Sequence, residues 1–379
     1  MYCQPGRFLS IRHAVISRGS KAAHTMVEDS FSEIVGAIHL HTSFSDGGVA
    51  FPELISAARE VGLDYIVVTD HMSLGGRHAG WEGVHGRLCV LVGYEHNDTS
   101  NRNHYLVLGP DSVAPSELSP QEYVDYVRNR RGVGIIAHPM EQRNYFSSLP
   151  AYPWTAWEVD GFDGIEIWNQ MSDWVENLKR WRSAFRIFFP RRFMSDVSPA
   201  LMRKWDELNR RRYVAGIGGV DAHTRSFNLG LMRFTVFPIK VELKGIRTHL
   251  YLENALPLDS WKTLRHLLLE ALRRGRGFVA NYRRGDARGT RIVLRCNGGR
   301  AIPPGAPEAP LSPPACIEVH LPEKGEIVLM RNGKRLVART GTETRFDVLT
   351  EGVYRVEVRK KSHTWIYCNP FVLGSYPLE

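Results

Sequence analysis

Long apolar runs are missing from this chain of 379 residues. None approaches the ~20 residues that a membrane-spanning helix needs, which excludes an integral protein of helical spans. Cysteine is scarce: Cys3, Cys89, Cys296, Cys316 and Cys368 are the only five, and no two form a C-x-x-C pair. A disulfide framework and a thiolate zinc site are therefore excluded, and a reducing, cytoplasmic setting is expected. No repeat of fixed period is visible, so solenoid and propeller architectures drop out. Acidic residues are in deficit, with 40 Asp+Glu against 49 Lys+Arg, a formal net charge of +9 and a pI near 9.4. That balance favours anionic partners in general and names none. A signal-peptide core is absent too, because Phe8 to Ile16 is interrupted by Ser10, Arg12 and His13. Residues 1–33 read as a tail. What is present is an ordinary globular composition, 43% hydrophobic and 23% charged, long enough for two or three domains.

From residue 34 short apolar runs alternate with helix-like stretches. Ile34 to Leu40, Tyr65 to Thr69, Leu88 to Val92, Tyr105 to Leu108, Val133 to Ala137, Gly164 to Trp168 and Val214 to Val220 read as strands. Phe51 to Val61, Ser119 to Arg131 and Trp261 to Arg274 read as helices, the last stopped by Gly275 and Gly277. Near-continuous apolar strands alternating with helices predict a parallel sheet covered by helices, and this many strands suit a barrel. Residues 171–213 interrupt the pattern with Trp174, Trp181, Phe185, Trp205 and several arginines. They read as two helices broken near Pro190, an insertion acting as an amphipathic lid or as a stacking surface for a nucleobase. Residues 286–379 change to short strands separated by Gly, Pro and Asn, with a hairpin signal at Asn332-Gly333. They predict a small C-terminal β-sandwich.

The histidines fall in a pattern. His39 and His41 end the first strand, and an i, i+2 pair on a strand shares one face. Asp46 follows in a Gly-rich turn. Thr69-Asp70-His71 ends the second strand. Glu95 follows the third, His104 opens the YLVL strand, His138 ends VGIIA, and Asp221-Ala222-His223 ends VAGIGGV. Any one of these is explained by a cap or a satisfied core histidine. Their conjunction at strand ends, where parallel α/β folds build their sites, points to bound cations. Imidazoles and carboxylates without thiolate suit Mn, Zn or Fe.

These residues resemble the PHP (polymerase and histidinol phosphatase) family of metal-dependent phosphoesterases. The matching elements are HLHTSFSDG (39–47), TDH (69–71), GYE (93–95), HYLVLG (104–109), AHP (137–139), GIEIWN (164–169) and DAH (221–223), in the family's order. The resemblance covers 34–285. It implies a distorted (β/α)7 barrel, here followed by the small C-terminal β-sandwich, and two or three divalent ions. By position it implies His39, His41, Glu95 and Asp221 on one ion. It implies Glu95, His104 and His138 on a second, with His96 the rival of His104. Asp46, His71 and His223 would hold a third. Glu166 and Asn169 would lie near the site floor.

The chemistry expected of such a site is hydrolysis of a small phosphorylated substrate, a nucleotide among the candidates. Divalent ions lower the pKa of bound water toward 7 and offset phosphoryl charge, so a hydroxide bridging them would attack phosphorus in line. Glu95 and His223 are expected closest to that chemistry. Asp70 is expected behind them, orienting a ligand histidine. Arg77, Arg143 and Arg225 each follow a ligand motif and could clamp a second phosphate. Two alternatives stand beside this reading. A C-terminal β-domain also fits PHP-like carbamate or carboxyl ester hydrolases, and the basic stretches fit a non-catalytic or nucleic-acid-binding module. No membrane partner is expected.

Overall fold

A computed structural model describes residues 31–142, 150–176, 194–229, 232–253, 257–296 and 299–378; the side chains of 225–229, 232–234 and 236 lie outside that description. The first half carries β1 (Phe31–Leu40), α1 (Phe51–Glu60), β2 (Tyr65–Val68), α2 (Gly75–His78), β3 (Gly83–His85), β4 (Leu88–Val92), β5 (Tyr94–His96), β6 (Tyr105–Leu108), α3 (Pro120–Asn129), β7 (Val133–Ile136), β8 (Gly164–Asn169) and α4 (Gln170–Glu176). Then follow α5 (Pro199–Arg211), β9 (Ala215–Ala222), β10 (Arg225–Leu229), β11 (Met232–Val236), α6 (Ile239–Glu242), β12 (Ile246–Glu253), α7 (Trp261–Arg274) and β13 (Gly277–Asn281). The C-terminal strands are β14 (Arg291–Cys296), β15 (Ala315–Arg331), β16 (Lys334–Val348), β17 (Gly352–Lys360), β18 (His363–Cys368) and β19 (Phe371–Leu373).

Local chemistry explains the elements that position the site. β2, β4 and β7 are buried at every residue, as their apolar runs require. α1 has Pro in its first turn and turns Leu54, Ala57 and Ala58 inward. α3 opens on a capping box, with Ser119 and Glu122 bonded reciprocally. α7 ends on Gly275 in the left-handed conformation, φ 60°.

β4, β2, β1, β9, β8 and β7 lie side by side and parallel. Beyond them the order turns antiparallel: β6 runs against β7, and β5 against β6. The connection from β5 to β6 is too short for the crossover that a parallel pair requires. Among the described residues no ladder joins β4 to β5, and only the bridge between His71 and Glu95 spans that gap. The result is a mixed α/β structure with one large sheet. The ladders do not draw the expected closed seven-stranded barrel.

β1 serves two neighbourhoods. Phe31–Gly36 pair antiparallel with β12, and Gly36–Leu40 pair with β2 and β9. From β12 the sheet continues through β13 to β18, β17 and β15. The C-terminal strands are thus hydrogen-bonded to the strands before them. The two runs expected at Cys316–Leu321 and Glu326–Arg331 are one long strand, β15, folded back on β16 at Asn332-Gly333, both with positive φ (50° and 78°). That is the backbone an Asn-Gly hairpin turn needs. A core of Ile292, Ile317, Phe346, Val356, Trp365 and Phe371 fills this part and reaches Phe31, Tyr251 and Phe278.

The expected tail lies outside the described residues except for its last three, which begin β1. Of the expected insertion, α4 and α5 are described and 177–193 are not. Trp205 is core, 1% exposed. Among the described residues no helix is long and apolar enough to cross a membrane. Cys89, Cys296, Cys316 and Cys368 are free thiols.

Candidate metal centre

Parallel strands deliver their C-terminal ends to one side of a sheet. β1 brings His39 and His41 there, β2 brings His71, β7 brings His138, and β9 brings Asp221 and His223. β6 is antiparallel, so its first end reaches the same side with His104, opposite Glu95's strand. The chain kinks as it delivers them. His39, His138 and Asp221 have φ of 65°, 28° and 56°, in the region disfavoured for residues with a Cβ. Such strain concentrates at functional sites. At β1 the register also shifts between Ile38 and Leu40.

Glu95 sits at the centre and is fully buried. Its Oε2 lies 2.9 Å from His39 Nε2, 3.3 Å from His41 Nε2 and 3.4 Å from His71 Nδ1. Its Oε1 lies 2.8 Å from His104 Nδ1 and 3.1 Å from His138 Nε2. One carboxylate therefore faces two sets of imidazoles, one per oxygen. Asp221 Oδ1 stands 3.6 Å from His39 Nε2 and 3.4 Å from His41 Nε2. Asp46 reaches in from solvent, 3.3 Å from His223 Nε2 and 3.8 Å from His71 Nε2. Three groups have ligand atoms within 4.8 Å of one another: His41, Asp46, His71 and His223; His39, His41 and Asp221; and His71, Glu95 and His104.

The electrostatics ask for positive charge. Burial works against ionising Glu95, yet His39, His71 and His104 hold its carboxyl well below the usual range. Asp221 behaves likewise beside His39, His41 and His223. Burial also opposes a charge on His41, but Asp221 and Glu95 raise it to about 9. His138 rises to about 9 against its burial, through Glu95 and Glu141. Both ring nitrogens of buried His41, and Nδ1 of buried His138, lack a hydrogen-bond partner. Buried polar atoms rarely stay unpaired. Convergent, unpartnered nitrogens among anionic carboxylates are a donor set that fits a divalent ion.

No protein-family model matches the chain. An uncharacterized protein of Methanocaldococcus jannaschii is 26% identical over 150 residues, 35% of this chain and 80% of that protein. Among solved structures, a two-domain protein of Bacteroides vulgatus, described as containing a predicted PHP-like metal-dependent phosphoesterase, aligns with 90% of this chain and 96% of its own at 14% identity, TM-score 0.45. PsfC from Pseudomonas syringae aligns over 64% of this chain and 89% of its own, 14% identity, TM-score 0.39. A candidate metal-dependent phosphoesterase of Bifidobacterium adolescentis aligns over 50% and 87%, 17% identity, TM-score 0.29.

The nine positions expected from the PHP motifs all come to this one place. His138 joins through Glu95 rather than through the three tight groups. His96, the rival of His104, packs instead on Tyr123 with ring centroids 4.4 Å apart, because alternation along β5 turns it from Glu95's face. Asp70 departs from its expected role. Its carboxylate accepts from Thr42 N, Thr42 Oγ1 and Ser45 Oγ, each at 2.7 Å. It grips the loop that carries Asp46 rather than orienting a histidine. Arg77 is also corrected. Its guanidinium donates to Glu82 at 2.9 Å, to Pro110 O at 2.7 Å, to Asp111 at 3.1 Å and to Val92 O, and it is consumed by these partners. Arg143 and the side chain of Arg225 lie outside the described residues.

One side chain was missed as a contributor. Asn97 accepts from His71 Nδ1 at 2.9 Å and donates to His104 Nε2 at 3.0 Å, tying two histidines together. No sequence signal marks it. Glu166 and Asn169 lie on the floor as the PHP pattern implied. A cleft of about 320 Å³ opens beside the cluster, lined by His138, Glu141, Glu166, Asn169, Ser172 and Ser198 among others.

Proposed function

We propose that this chain is a PHP-type metal-dependent hydrolase that cleaves a small phosphorylated molecule, a nucleotide among the candidates. The observation that carries the reading is Glu95, one buried carboxylate with a different set of imidazoles at each oxygen. His39, His41, Glu95 and Asp221 would hold one ion, Glu95, His104 and His138 a second, and Asp46, His71 and His223 a third. Bound Mn, Zn or Fe would supply Lewis acidity toward water and toward phosphoryl oxygens. The remaining work belongs to the chain. Burial excludes bulk water from Glu95 and the β1 histidines, which strengthens every electrostatic contact there. Asp70 fixes the Thr42–Ser45 loop, so Asp46 arrives already aimed. The cleft beside His138 has room for the leaving group of a small ester. The incomplete ring of strands is read as the distorted (β/α)7 barrel, spanning 34–285, with 286–379 as the β-sandwich.

The test pairs elemental analysis of the purified protein with a substrate panel in Mn²⁺: phosphomonoesters, phosphodiesters, and carboxyl and carbamate esters. Bound metal with turnover of a phosphoester supports the reading. Turnover confined to carboxyl or carbamate esters transfers the chain to that class of hydrolase. A protein that takes up neither Mn²⁺ nor Zn²⁺ ends the case.

A further inference from the structure

A carboxylate in the middle of a strand with no exposed surface is costly unless its oxygens are paired. Glu166, at the third position of β8, is such a group, 0% exposed. Its Oε1 lies 2.8 Å from His39 Nδ1. Its Oε2 accepts from the backbone N–H of His138 at 2.8 Å and from Asn169 Nδ2 at 2.9 Å. The same amide of Asn169 reaches Asp221 Oδ2 at 3.4 Å. Glu166 therefore touches two residues that close different strands of the cluster, and through Asn169 it meets a third. Room for it is made by the neighbouring strand: a Cβ on Gly219 of β9 would stand 1.7 Å from Glu166 Oε1.

The pairing determines which nitrogen of His39 faces the cluster. A backbone N–H can only donate, so Oε2 is an acceptor. An ionised carboxylate accepts at both oxygens, so His39 Nδ1 must carry the proton that bonds Oε1. Nε2 is then the nitrogen turned to Glu95 and Asp221, 2.9 and 3.6 Å away, and the one that would exchange its proton for a bound cation. A metal-binding histidine is commonly set in this way by a hydrogen bond on its far nitrogen. We infer that Glu166 is a positioning residue: it fixes His39 as the Nδ1–H tautomer, leaving Nε2 as the ligand atom, and through the His138 N–H it holds the end of β7 in the same register. The inference rests on the metal reading of the site.

Glu166→Gln tests it with almost no change of shape. The glutamine carbonyl can keep the bonds from His138 N–H and Asn169. Its NH2 must then donate to His39 Nδ1, which forces the proton onto Nε2 and blocks that atom as a ligand. Zn²⁺ affinity, read by calorimetric titration, is expected to fall 10- to 100-fold, with far-UV circular dichroism and the melting temperature in EDTA unchanged. In a His39→Gln background, Glu166→Gln should weaken Zn²⁺ no further, because the ring it orients is gone. Parent-like Zn²⁺ affinity in Glu166→Gln overturns the inference, and so does full additivity of the two substitutions.

A second measurement needs no folded variant. In the ¹⁵N-histidine-labelled parent loaded with Zn²⁺, His39 is expected to show a proton on Nδ1 and none on Nε2. The reverse tautomer overturns the assignment to Glu166. A parent that binds no Zn²⁺ but shows the Nδ1–H form would refute the metal reading and leave the role of Glu166 in setting the ring intact.

Discussion

Asp221 carries more of the site's charge balance than its position at a strand end suggests, because it stands within 3.6 Å of His39, His41 and His223 at once. Asp221→Asn keeps the size and removes the charge. Metal content and hydrolytic activity should fall together, by tenfold or more in affinity, and full metal with full activity in the variant would refute the assignment. A second titratable group lies far from the chemistry. Burial lifts the Asp163 carboxyl to about 6 despite the bond from Gly134 N–H and the charge of Arg273. Its pKa is raised in the fold, so the native state holds this proton more tightly than the unfolded chain. The stability linked to it is present below about pH 4 and is lost as pH rises through about 6, on the order of 3 kcal/mol. Urea unfolding of the parent and of Asp163→Asn across that window should differ by this contribution, the parent losing more stability than the variant as pH rises. At this scale the nine positions that come together were readable because each is a His, Asp or Glu at or near the end of an apolar run. The jobs of Asp70 and Glu166 were not, because their partners are brought close only by folding, 28 positions away for Thr42 and 127 for His39. Arg77 was misread for the same reason: Glu82 and the Pro110 carbonyl that claim it leave no mark beside it in the sequence.

The loop after β1 shows how an element is aimed. Asp70 holds Thr42 and Ser45, and Gly48 N–H donates to His223 O at 2.7 Å. A Cβ on Gly48 would meet Thr224 O at 1.9 Å, so Gly48→Ala must push the loop away from β9. Asp46 moves with it. The expected outcome is loss of the ion proposed for Asp46, His71 and His223, read by elemental analysis, with those proposed around Glu95 retained. Uniform loss of all metal, or none, would contradict that arrangement. Strands with unbroken apolar runs were read from sequence to within a few residues at each end, since burial on both faces leaves them little polarity. Short β5 and the antiparallel turn of β5 and β6 were not readable, because strand direction follows from connection length and not from side-chain pattern.

Across the whole molecule, the wall of the cleft is fastened to the C-terminal strands. Asp196, which lines it, accepts from Thr364 N at 3.1 Å. Asp206 of α5 takes both arms of Arg355 of β17, at 2.8 and 2.9 Å, and Arg355 is 3% exposed. Removing Asp206 would leave Arg355 with Glu357 alone, two charge-assisted bonds short in a buried place. Asp206→Ala should lower the unfolding free energy by about 3 kcal/mol in urea, and an unchanged midpoint would show the tie to be idle.

The ladder from β12 through β13 into β18 has a practical corollary. Severing the chain after residue 285 would strip β13 of its outer neighbour and lay Phe278 open to water. A naked rim of that kind recruits other chains. The shortened protein is expected to elute as soluble aggregates in size-exclusion chromatography, so whatever catalysis resides in the first three-quarters of the sequence is obtainable only with the last quarter attached.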